Sequence, residues 1–158
     1  MDEAMIIGAK AQIPNPALKP LEFMLGEWRT TGSHPAMAGK VLNGRTSFRW
    51  HEGGAFLMMR TQVDEPEFPN GVAIIGSDDV AGTFAMTYFD ERGISRHYEV
   101  TVGDRTVTWR RDDPKLSQSN TITAEDDGNT LVGKGRMSQN GGAWGDDLSQ
   151  VFHREARS

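Results

Sequence analysis

The run Arg96-His97-Tyr98-Glu99 puts a guanidinium, an imidazole, a phenol and a carboxylate in consecutive positions. In an extended strand, successive side chains point to opposite faces. The run therefore holds two different constellations. His97 and Glu99 share one face, where they could form an acid–base or hydrogen-bonded pair. Arg96 and Tyr98 share the other, and the planar fork of Arg96 suits a ligand carboxylate bound through two hydrogen bonds. The two sets cannot both face inward. Tyr88 in the preceding run, "TYFDERG", is a further candidate for the Arg96 side. Downstream, "TWRRDDP" places Trp109 as a core residue with Arg110 pointing the opposite way. If Arg110 faces a lumen, it is a buried charge that needs an anion or Glu99 as partner. Met58 is a candidate lining residue, because methionine adapts to irregular apolar shapes.

Several other chemistries are excluded. The chain has no cysteine, so disulfide frameworks, thiolate metal sites and cysteine nucleophiles are out. The histidines, His34, His51, His97 and His153, have no metal-ligand spacing, and no metal site is expected. Carboxylate clusters at 77–82 and 145–147 fall at turns or strand starts without EF-hand spacing and read as solvated. No nucleophile elbow, phosphate loop or dinucleotide fingerprint occurs. The net charge is −5 with both signs mixed along the chain, which is not the footprint of a nucleic-acid binder. No apolar run is long enough to span a membrane, and "MIIGAK" follows Asp2 and Glu3 rather than a basic segment. These features give the expectation of a cytoplasmic protein with no nucleic-acid or membrane partner.

The elements that must position these groups are short strands. The 158 residues suit one domain, and the 18 glycines fall largely in turn signals. Residues 1–20 carry several prolines and no period, and are expected to form an arm; residues 21–158 are expected to form one barrel domain. Leu21, Met24 and Leu25 suit one or two helical turns ending at Gly26. Strands are expected at 27–33, 41–51, 55–64, 71–77, 83–89, 95–102, 105–111, 117–124, 130–138 and 146–155. They are punctuated by "HEGG", "DERG", "VGDR", "EDDGN" and "QNGG". About ten short antiparallel strands with hairpin spacing predict an all-β up-and-down barrel, since closure removes exposed strand edges. A β-sandwich is the competing architecture.

Gly26-x-Trp28 opens the first strand and Arg154 ends the last. This resembles the calycin pattern of lipocalins and fatty-acid-binding proteins, in which the resemblance implies that Gly26, Trp28 and Arg154 close one barrel end. An indole face is the best aromatic partner for a guanidinium. The blocks "LEFMLGEW", "GGAFLMMR", "YFDERGISRHYEV", "TWRRDDPKLSQSNT" and "GGAWGDDLSQVFHRE" resemble an uncharacterised bacterial family with such a barrel, which implies a fold and no activity. The opening also resembles nitrobindin-type haem barrels, although Thr30 replaces a glycine and His34 stands where Tyr is expected before Pro35. That resemblance implies haem on His153 or His34 as an alternative; otherwise no cofactor is expected. The leading expectation is a small hydrophobic or amphipathic ligand in the lumen, bound by Tyr88, Arg96, Tyr98, Trp109, Arg110 and Met58. The alternatives are an isomerase or hydrolase using His97 and Glu99, and a homodimer formed through an uncovered barrel wall.

Overall fold

The computed structural model describes residues 10–79, 82–125 and 127–156. Residues 1–9 of the expected arm, Val80 and Ala81 of the cluster at 77–82, and Asp126 of the turn at 125–129 lie outside these, as do residues 157–158. The strands are β1 (Gly26–Ser33), β2 (Leu42–His51), β3 (Phe56–Val63), β4 (Gly71–Asp78), β5 (Thr83–Asp90), β6 (Ser95–Gly103), β7 (Thr106–Arg111), β8 (Leu116–Ala124), β9 (Thr130–Gln139) and β10 (Gly145–Arg154). Each pairs with its sequence neighbours, and β1 pairs with β10, so the sheet is a closed up-and-down antiparallel barrel. Every strand end lies within one residue of its expected position.

The helical segment differs from expectation in kind and in start. It is a 3-10 helix, Pro16–Met24, capped by the Asn15 side chain, which accepts a hydrogen bond from the Ala17 N–H at 3.0 Å. At three residues per turn, Leu18, Leu21 and Met24 stand on one side, and all three are fully buried. The barrel unit thus begins inside the stretch expected to be an arm.

This helix packs where β1 begins and β10 ends, and the barrel interior at that end is apolar and filled. Trp28, Phe48, Leu57, Ile75, Val107, Ile122, Leu131 and Phe152 fill it with the helical leucines. The Arg154 guanidinium lies 4.2 Å from the Trp28 ring centroid, and the two residues are direct register partners. The Trp28 Nε1–H donates to the Met24 carbonyl at 2.8 Å, and Arg154 Nη1 donates to the Leu25 carbonyl at 2.6 Å. Gly26 is required here on two counts: its φ is +136°, and a Cβ would lie 2.5 Å from Arg154 Nη1.

No helix among the described residues is long and apolar enough to cross a membrane. The outer wall carries exposed Arg29, Arg45, Arg60, Glu99 and Lys134 within strands, unlike the apolar belt of a lipid-facing barrel.

Candidate functional site

Cross-strand register fixes which face is inside. Val100, fully buried, pairs with Trp109 across β6–β7 and with Phe84 across β5–β6; Met86 pairs with Tyr98, and Tyr88 with Arg96. Paired residues share a face, so Tyr88, Arg96, Tyr98 and Trp109 all face the lumen. The alternate set faces out: His97 pairs with Thr87, Glu99 with Ala85 and Arg110, and Met58 with Arg49 and Ile74. Arg110 and Met58 are thus on the outer wall, contrary to the expectation that they line the lumen. Arg110 stacks at 5.0 Å from the Trp144 ring and binds Asp112 at 3.1 Å. His97 and Glu99 are both exposed, so they are not a lumenal acid–base pair; the His97 ring meets the Thr87 hydroxyl at 3.3 Å.

At the end opposite Trp28 the lumenal side chains become polar and hydrogen-bond to one another. The Tyr98 hydroxyl donates to Gln118 Oε1 at 3.1 Å, and Gln118 Nε2 donates to Asp147 Oδ2 at 3.3 Å. Asp147 Oδ1 lies 3.0 Å from His34 Nε2. His34 Nδ1 accepts from the Ala36 N–H at 3.0 Å, which assigns the neutral ring proton to Nε2, donating to Asp147. The belt joins the end of β1 to β6 across the mouth. Asp147 was expected to be solvated. A β-bulge between Asp146 and Ser149 sets two β10 residues against Gly135 and turns Asp147 inward. Gly135 permits this, because a Cβ there would lie 2.5 Å from the Leu148 carbonyl oxygen. Burial pushes the Tyr98 phenol above its ordinary value, opposed by the nearby Arg111 and Arg96 guanidinium groups, so Tyr98 is a neutral donor.

Tyr88 is anchored separately. Its hydroxyl donates to Asp90 Oδ2 at 2.8 Å, and its ring lies against Gly71, where a Cβ would sit 2.7 Å from Tyr88 Cε2. Deeper in the barrel, Thr30 is fully buried between Gly44 and Phe152, and among the described residues its Oγ1 has no hydrogen-bond partner. An orphaned hydroxyl costs roughly 1–3 kcal/mol. Thr30→Val is therefore expected to raise stability by about 1 kcal/mol, read as a higher urea midpoint at unchanged slope; a lower midpoint would show that the hydroxyl is satisfied.

The β6–β7 ladder stops short at this end: it runs from Gly103–Thr106 to Glu99–Arg110 and no further. On the flanking sides, β5–β6 pairing continues to Ser95, and β7–β8 pairing continues to Arg111. β7 ends at Arg111 while β6 runs on to Ser95, and a cleft of about 380 Å³ lies beside this unpaired stretch. Arg96, His97 and Glu99 line it from β6, and Arg110, Arg111 and Asp112 from β7. The two sets that strand parity separates thus meet in one seam. A second hollow of about 360 Å³, on the outer wall between Phe56, Ile74 and Phe89, is apolar.

The histidines do not fit a lumenal haem. His153 pairs with Arg29 and Thr130 on the outer face, opposite in parity to Phe152 and Arg154. Both ring nitrogens of His34 are engaged, by Asp147 and Ala36. Among the described residues, no three His, Asp or Glu side chains converge as a metal shell.

No protein-family profile matches the chain, and no curated protein is similar to it. Among solved structures, it is similar to Rv2717c from M. tuberculosis. The TM-score is 0.65 at 20% identity, covering 92% of this chain and all (100%) of that one. At that identity the likeness is one of fold alone. A protein of unknown function from the DUF3598 family of Nostoc punctiforme aligns over 93% of this chain at 8% identity, with a TM-score of 0.28. The chain is thus a ten-stranded barrel with a solved relative in fold.

Proposed function

We propose that the chain is a cytoplasmic bacterial barrel of calycin type that binds a small, mostly apolar or amphipathic molecule in its lumen. The observation that carries this reading is Arg96. It is half-buried on the lumenal face beside Tyr88 and Tyr98. Among the described residues its one hydrogen bond is from Nη1 to its own neighbour's carbonyl, Ser95 O, at 2.9 Å, and it forms no ion pair. A sheltered guanidinium with donors to spare suits an incoming acceptor. The asymmetry of the barrel supports the same reading: an apolar, sealed end opposite a polar one orients an amphipathic guest, and barrel mouths are frequent ligand sites.

Native mass spectrometry of protein purified from its own host tests this. The expected result is a 1:1 complex with a small molecule that is released on unfolding. Protein that is repeatedly ligand-free, and that gains no stability from any member of an apolar and amphipathic ligand panel, would overturn the reading.

A further inference from the structure

We propose that the β6–β7 seam, rather than the mouth or the lumen floor, holds the charged group of the ligand. The ligand class is then a single-chain organic anion, a carboxylate or a phosphate monoester, lying through the wall. This rests on the lumenal reading above and adds a location and a charge to it.

Where a ladder continues, side chains of opposite parity are separated by the sheet. Where it stops after Glu99–Arg110, the lumenal Arg96 and Arg111 and the outer His97 and Arg110 border the same opening. A ligand in the seam can therefore touch both faces of the barrel at once.

The charges within the seam are unevenly matched. Arg110 is committed to Asp112 and to the Trp144 ring. Arg111 is held by the Leu116 carbonyl at 2.7 Å and lies 3.6 Å from Asp113. The Asp113 carboxylate is itself occupied by the backbone N–H groups of Lys115 and Leu116. Glu99 is exposed at the outer lip and makes no ion pair among the described residues. Among the described residues, Arg96 is left as the half-buried cation of the seam without a carboxylate. Arg96 and Arg111 both border the cleft, and register places both on the lumenal face of their strands, Arg96 opposite Tyr88 and Arg111 two residues on from Trp109. An anionic head there would meet the Arg96 fork and the Arg111 guanidinium. Its chain would run inward past Tyr98 and Trp109 to the apolar interior.

The outer set has a role in this arrangement. Glu99 at the lip repels an anion that stays outside, whereas the Arg96 side attracts it once it is within. The seam thus favours a charged head seated at lumenal depth over one adsorbed on the surface.

Isothermal titration of the full chain with dodecanoate, dodecyl phosphate, dodecanol and inorganic phosphate separates the possibilities. The expected result is that at least one of the two anions binds tenfold or more tightly than dodecanol at low salt, with the advantage shrinking as salt rises. The better anion identifies the head group. In Arg96→Met the anions should fall to within about twofold of dodecanol, whereas Arg45→Met, on the outer wall, should keep the preference. Arg96→Lys retains the charge without the fork and serves as a second, milder variant; it should lose at least threefold of the anion preference. With ¹³C-carboxyl dodecanoate, the bound acid should ionise at lower pH than the free acid, and this difference should vanish in Arg96→Met. Equal binding of dodecanol and both anions would overturn the seam and leave the lumenal reading standing. So would an anion preference that survives both Arg96 variants. Binding of inorganic phosphate alone, with no chain-bearing probe bound, would overturn both.

Discussion

Trp28→Ala is expected to lower the unfolding free energy by about 4 kcal/mol. Trp28 is 1% exposed at the sealed end, among Phe48, Leu131, Phe152 and the three buried residues of the 3-10 helix, Leu18, Leu21 and Met24. Removing a buried indole typically costs about 3–5 kcal/mol, as lost transfer free energy plus the cavity left behind. Two further losses place this site in the middle of that range or above. The Met24 carbonyl loses its Nε1 donor, and the Arg154 guanidinium loses the ring it covers at 4.2 Å. For a chain of this length, 1 kcal/mol shifts the melting temperature by roughly 2–4 °C, so thermal unfolding should fall by roughly 8–16 °C. Arg154→Ala should cost less, about 1–2 kcal/mol, because its Leu25 and Gly128 contacts are at the rim. The double variant should show a coupling of about 0.5–1.5 kcal/mol. A Trp28→Ala loss under about 1.5 kcal/mol would mean that the helix, and not the indole, seals this end.

The strand positions were legible because their signals are local. Alternation and turn residues such as Asp90 to Gly93 lie within a few residues of what they specify, and Gly93 adopts the positive φ, +78°, that the turn needs. The Trp28–Arg154 contact spans the chain, and in the sequence it is marked only by the resemblance of Gly26-x-Trp28 and Arg154 to the calycin pattern. Facing was not legible: Arg96 and Tyr98 on one side, and His97 and Glu99 on the other, are equally able to be solvated or sheltered. Pairing with Val100 and Trp109 decides it, and pairing is a property of two strands. The inward turn of Asp147 had even less signal. It depends on two β10 residues opposing Gly135 alone, so the residues 145–147 read as a solvated cluster until β9 is in place. The missed partner, His34, sits more than a hundred residues away in sequence. The seam arises where a ladder ends, and nothing in either strand's own alternation marks that point. The 3-10 helix had a readable cue in Leu18, Leu21 and Met24, a strict spacing of three, hidden by the expectation of an α-helical spacing.

Asp90→Asn is expected to cost roughly 2 kcal/mol at neutral pH and to flatten the acid limb of stability. The Asp90 side chain is fully shielded from solvent. Arg92 donates to it from Nη2 at 2.8 Å, from Nε at 3.2 Å and from the backbone N–H at 2.9 Å; the Tyr88 hydroxyl adds a fourth bond at 2.8 Å. The Arg92 side chain is the largest influence, and together with the Tyr88 and backbone donors it outweighs burial, holding the carboxyl at about 2 against an ordinary 3.8. A pKa lower in the folded chain than in the unfolded one means that the unfolded chain binds the proton first. The stabilisation is therefore complete above about pH 5 and disappears as pH falls toward 2. Urea unfolding measured from pH 7 to pH 2 should show the native protein losing this increment while Asp90→Asn does not. The substitution also reaches the candidate site. Asp90 draws the Tyr88 hydroxyl toward the turn, and Tyr88 is the register partner of Arg96. With asparagine in place, the phenol is freed to compete for space and hydrogen bonds beside the Arg96 guanidinium. Anion affinity should then fall at neutral pH, where folding is still complete. An Asp90→Asn protein that binds dodecanoate as the native protein does, yet shows the flattened acid limb, would confine Asp90 to the turn.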